Sequence, residues 1–128
     1  CVPAAYAEEA NKRDISLHEL LTEKASQLRV GQSGLLALDW WNGNRSILMD
    51  ANLSGLIVGF TLGTKPEEIY RAIMESTIFG TRRIIQSYEE AGVPINTLYA
   101  CGGLPPKNRF FMEIFADITG KEIFVASS

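Results

Sequence analysis

The segment from Thr64 to Gly92 constrains the fold more than any other. Thr64-Lys65-Pro66-Glu67 has the form of a capping box with a proline in the first turn, where a missing N–H costs little. Ile69, Ile73, Thr77, Gly80, Ile84 and Tyr88 recur at helical spacing, supported by Met74 and Ile85, and Gly92-Val93-Pro94 stops the pattern. The spacing predicts a helix of about 25 residues, ~37 Å long at the usual rise per residue. Such a helix spans a small domain, so the rest of the chain must pack around it. Gly80 in its middle predicts close approach of a neighbour, since an exposed glycine there costs ~1 kcal/mol relative to Ala.

The flanking segments read as alternating helices and strands. Ser16-Leu17-His18-Glu19 is a capping box, followed by Leu17, Leu20, Leu21, Ala25 and Leu28 on one face and ended by Gly31 and Gly34. Leu35 to Leu38 suits a short buried strand, Asp39 to Asn44 a turn rich in aromatic and amide groups, and Gly55 to Phe60 a second strand. Past the long helix come a strand at 97–101, a Gly-Gly turn, a helix from Asn108 to Thr119 and a strand at 122–126. The expected organisation is a helical lead-in over 1–34, strands and a Trp-rich loop over 35–63, and helix–strand–helix–strand over 64–128. This order predicts an α/β fold with at least partly parallel strands. The chain opens on Cys1 and stops after a strand with no helix to cover it, so it reads as a piece of something longer.

Composition excludes several classes. Twelve basic residues against 15 acidic give net −3, which argues against a nucleic-acid partner. The longest apolar run, Leu56 to Leu62, falls far short of the ~20 residues that cross a bilayer. Cys1 and Cys101 make no disulfide framework and read as free thiols of a cytoplasmic protein, Cys101 as a buried one. The only histidine, His18, sits in a helical first turn as a solvated or capping residue, and no metal-ligand spacing occurs. Neither a P-loop nor a dinucleotide fingerprint is present.

Two places could carry chemistry. Gly102-Gly103 lies beyond the carboxyl end of a strand and before a helix N-terminus, where α/β sheets bind ligands. Paired glycines admit a flat ligand or a phosphate to the backbone, and Lys107 and Asn108 enter the helix beside them. The same residues also suit a tight connection with no ligand, and the residues alone leave both open. In the second place, Asp39, Trp40, Trp41 and Asn42 combine stacking faces with hydrogen-bonding groups, although turn chemistry with one core and one rim indole fits equally.

The stretch Gly34-Leu35-Leu36-Ala37-Leu38-Asp39-Trp40-Trp41-Asn42-Gly43-Asn44-Arg45-Ser46 resembles the FGGY family of carbohydrate kinases, and within it the bacterial L-ribulokinases. The likeness continues through Gly55 to Thr64, the helix bearing Ala72-Ile73-Met74-Glu75-Ser76, and Ala100-Cys101-Gly102-Gly103 into Asn108, Phe111 and Ala116 to Gly120. It implies part of an actin-like (ribonuclease H-like) ATPase domain, incomplete here, with ATP and sugar held between two domains. It implies transfer of the ATP γ-phosphoryl to the 5-hydroxyl of L-ribulose, in L-arabinose catabolism, with Mg²⁺ entering through ATP. Gly102, Gly103, Lys107 and Asn108 would supply the adenosine side, with Leu104-Pro105-Pro106 stiffer than the family's usual small residues. Asp39, Trp40, Trp41 and Asn42 would shape the sugar cleft. No catalytic residue or metal ligand carries over, because the base and first phosphate hairpin belong to the N-terminal domain. That domain, the sugar and ATP are the implied partners, and a homo-oligomer stays open. The isolated chain is expected to be inactive. The alternatives are an FGGY kinase of the xylulose or glycerol type and a non-catalytic actin-like nucleotide-binding module.

Overall fold

The computed structural model describes residues 2–126, so Cys1 and its thiol lie outside the described residues. The elements are α1 (Ala4–Lys12), α2 (Leu17–Ser26), β1 (Leu36–Leu38), β2 (Leu56–Val58), α3 (Pro66–Glu90), β3 (Thr97–Ala100), α4 (Arg109–Thr119) and β4 (Glu122–Val125). Antiparallel β1 and β2 pair Leu36 with Val58 and Leu38 with Leu56. Parallel β3 and β4 pair Thr97 with Glu122 and Ala100 with Val125, joined by α4 as the crossover. The α/β order and the partly parallel strands are as expected.

Helix α3 has its expected length of 25 residues, but its start differs in detail. Pro66 takes the first helical position and holds Lys65 extended, at φ −100° and ψ 155°. The reciprocal acid is therefore Glu68, whose Oε2 accepts the Lys65 N–H at 2.7 Å, and not Glu67. Thr64 does not cap the helix; its Oγ1 accepts the Thr61 N–H at 2.9 Å in the preceding loop. At the far end Gly92 adopts φ +84°, the Val93 N–H donates to the Tyr88 carbonyl at 2.9 Å and the Gly92 N–H to Glu89 at 3.0 Å. These two bonds form a Schellman stop. The Ser16 box of α2 forms as expected, with Glu19 N–H to Ser16 Oγ at 3.1 Å and Ser16 N–H to Glu19 Oε2 at 2.7 Å.

The core lies where α2 and α4 cover α3. Met74, Ile78, Phe111, Ile114 and Ile118 form its main cluster, with Ile78 fully buried. The expected row on α3 is covered only in part: Ile73, Thr77 and Tyr88 are exposed and Ile69, Gly80 and Ile84 half-buried, while the supporting Met74 and Ile85 are buried, together with Arg71, Ala72, Glu75, Ser76 and Ile78. The flanking helices sit on the 71–74–75–78–85 stripe, so two charged residues displace Ile73 from the interior. Strand β1 also departs from expectation. Leu35 is buried, but Leu36 is 70% exposed and no residue of β1 or β2 is buried. The two-stranded sheet touches α3 through β1, and Leu36, Leu38, Leu56 and Val58 are all exposed. Cys101 is exposed rather than buried, standing in the loop just past the end of β3 at Ala100. No helix among the described residues is long and apolar enough to cross a membrane.

Within the helical lead-in, α1 lacks a side-chain cap, so no capping motif marks it in the sequence. Side chains tie it down instead. Lys24 Nζ lies 3.1 Å from Glu9 Oε2, and the Tyr6 hydroxyl donates to Glu67 Oε2 at 2.7 Å. That bond, with burial and the charges of Glu67, Glu9 and Glu68, pushes Tyr6 up from 10.0 to about 12. A folded value above the unfolded one means a contribution fully present below pH 10 and lost as pH rises through 12. Urea midpoints should therefore fall more steeply between pH 10 and 12 in the parent than in Tyr6→Phe, and equal slopes would remove this tie.

Candidate functional site

The loop between β3 and α4 is built by its own turn chemistry. Gly102 has φ +104°, a region that favours glycine, and a Cβ placed on Gly102 or Gly103 would meet nothing within 4 Å. Both glycines therefore present bare backbone to open space. The Leu104 carbonyl accepts the Lys107 N–H at 3.0 Å and the Asn108 N–H at 3.1 Å, which turns the chain into α4. Asn108 stands outside the helix as its N-cap, not within it, and its Oδ1 accepts the Phe111 N–H at 2.9 Å. The carboxamide oxygen is thus committed to the fold, and the amide NH₂ is left to donate.

Lys107 and Asn108 open onto a groove of about 680 Å³. Its remaining wall includes Leu104 and Phe110, with His18, Glu19 and Thr22 of α2 and Tyr70 of α3. The Thr22 and Tyr70 hydroxyls lie 3.2 Å apart and join the two helices there. Both acids on the α2 side are held below the usual carboxylate range. The Ser16 N–H and hydroxyl act on Glu19, and Arg13 hydrogen-bonds Glu23 at 2.6 Å. Gly102 and Gly103 do not line this groove. Helix periodicity gave no reason to group His18, Thr22 and Tyr70 with Lys107, because only tertiary packing brings them together.

A second cleft, of about 460 Å³, runs between residues 37–48 and the Ser76–Ile84 stretch of α3. Asp39 and Trp40 line it, as do Arg45 and Arg83. The neighbour expected at Gly80 is the Asp39 carboxylate, since a Cβ there would stand 3.1 Å from Oδ2 and 3.2 Å from Oδ1. Trp41 and Asn42 do not line the cleft, so only half of that sequence group converges. The Trp41 ring instead lies where a Cβ of Gly55 would stand. The loop is held by Asn44, whose Oδ1 accepts the Ile47 N–H at 3.2 Å and the Leu48 N–H at 3.0 Å. Asn44 also exchanges backbone bonds with Asp50 at 2.9 and 2.8 Å. The two clefts share no lining residue. No group of three or more His, Cys, Asp or Glu able to hold a metal occurs among the described residues.

Residues 4–128 match the model of the FGGY family of carbohydrate kinases, C-terminal domain. The chain belongs to the FGGY family. It is 61% identical over 127 residues to a ribulokinase of Halalkalibacterium halodurans, covering 99% of this chain and 23% of that one. It is 58% identical over 127 residues to a ribulokinase of Anoxybacillus flavithermus, covering 99% and 22%. The chain thus spans less than a quarter of the length of these curated relatives. In structure it is similar to a xylulose kinase from Rhodospirillum rubrum, with TM-score 0.76, 24% identity, and 95% of this chain and 23% of that one covered. The architecture is that of a partial actin-like ATPase domain of FGGY kinases. Because the Trp41 ring and a Gly55 side chain cannot occupy one place, Gly55→Ala should shift tryptophan emission. The shift should vanish in a Trp41→Phe background, and an unchanged spectrum in the parent background would contradict the packing.

Proposed function

We propose that this chain is the nucleotide-side part of an ATP-dependent L-ribulokinase acting in the cytoplasm. The observation that carries this reading is the 61% identity to a ribulokinase, sustained over 127 of 128 residues. The geometry adds a loop whose glycine backbone is open, beside a groove edged by a cation and an amide donor. Those groups suit a nucleotide: Lys107 complements phosphate charge, and the Asn108 NH₂ donates to base nitrogens or ribose oxygens. When bound, ATP supplies the γ-phosphoryl group. The L-ribulose 5-hydroxyl attacks it, the bond to the β-phosphate oxygen breaks, and the hydroxyl proton passes to a base in the remainder of the parent protein.

The contribution of this chain to that reaction is binding and orientation. Gly102 and Gly103 keep side chains away from the nucleotide, and the α4 N-terminus adds a positive dipole end near its polar atoms. Mg²⁺ fits this reading as an ion carried by the phosphates, with protein ligands outside this chain. Asp39 and Trp40 line the cleft against α3, which supports a sugar-side role for the Trp-rich loop.

Gly103 provides the clean test, because its side-chain direction is open and its φ is not in the left-handed region. In the full-length protein, Gly103→Val should leave Tm unchanged and raise KM for ATP about tenfold, the equivalent of ~1.4 kcal/mol of lost binding. An unchanged ATP dependence would remove the loop from the site. The isolated 128-residue chain should give no L-ribulose 5-phosphate in a coupled assay, and turnover by it would overturn the division of labour.

A further inference from the structure

Arg71 and Glu75 are each only 4% exposed, and the binding groups named above do not include them. Two buried charges are costly unless pairing and hydrogen bonding are both complete. Here Arg71 Nε donates to Glu75 Oε1 at 2.6 Å, and Nη1 donates to the Ala25 carbonyl at 3.4 Å. Glu75 Oε2 accepts the Gly31 N–H at 3.2 Å. The guanidinium carbon also lies 5.1 Å from the centre of the Phe110 ring. A single pair on α3 thus touches the end of α2, the loop that follows it and the first turn of α4. Phe110 lies two residues beyond Asn108 and lines the same groove, as does Tyr70, which precedes Arg71.

We propose that Arg71, held by Glu75, is a positioning residue for nucleotide binding. Its flat guanidinium seats Phe110 and thereby sets where Lys107 and Asn108 stand against α2. This role rests on the nucleotide reading of the groove. Lysine at 71 keeps the charge but lacks the flat face and the fork, and leucine at 110 keeps apolar bulk but lacks the ring. The two changes therefore remove one contact from opposite sides.

In the full-length protein, Arg71→Lys and Phe110→Leu should each weaken a non-hydrolysable ATP analogue about fivefold by calorimetry. KM for ATP should rise by the same factor, while kcat and KM for the sugar stay constant. The double variant should bind no worse than the weaker single one, because both changes act through one contact. A lowered Tm with unchanged ATP affinity in both variants would reduce the pair to a structural part and overturn the proposal. Asn108→Ala, measured alongside, separates the two ideas. If it leaves ATP affinity unchanged, the groove does not hold the nucleotide and both ideas fall. If it weakens ATP while Arg71→Lys and Phe110→Leu do not, only the positioning role falls.

Discussion

Sealing opposite charges four residues apart on one helix dictates much of what surrounds α3. Each ion loses several kcal/mol of hydration on burial, so every donor and acceptor must find a partner. Arg71 and Glu75 bond each other and also reach the Ala25 carbonyl and the Gly31 N–H, which fixes how α2 ends and how its loop returns toward α3. Gly31 reaches that position at φ +71°. The apolar cluster then begins within a turn, at Met74 and Ile78, and continues onto α4. The polar and apolar parts of the interior are consecutive along the same stripe.

Helix α3 also separates the two clefts. Near its N-terminal end Tyr70 contributes to the Lys107–Asn108 groove, and further along Ser76 to Ile84 form one wall of the Asp39 cleft. A helix of this length keeps the two clefts at a set separation, with no lining residue in common. Gly80 matters in that arrangement because it lets the Asp39 carboxylate approach the helix closely.

What could be read from the sequence was what depends on neighbours three or four residues away. The Ser16–Glu19 box, the Gly92 stop and the end of α4 before Gly120 are local devices, and they appear where expected. The buried stripe of α3 was not legible. Arg71 and Glu75 look like a solvent-facing pair until Ala25, Gly31 and Phe110 are in place around them. The apolar run at Leu35 to Leu38 suggested burial, yet only Leu35 is covered, because strand pairing on a single layer leaves a face open. At the candidate site, Lys107 and Asn108 were marked by their entry to α4. The α2 wall opposite them was not, since His18 and Thr22 share no spacing signal with the loop.

The capping bond of Asn108 has a consequence for selectivity. With its oxygen turned to the Phe111 N–H at 2.9 Å, the side chain points its acceptor at the helix and keeps two N–H hydrogens that the cap does not use. An aspartate at 108 would cap α4 equally well while presenting negative charge in place of those hydrogens. On the proposed nucleotide reading, fold and recognition would then be divided between the two ends of one amide, and the outward end would favour electron-rich ring nitrogens over exocyclic amines.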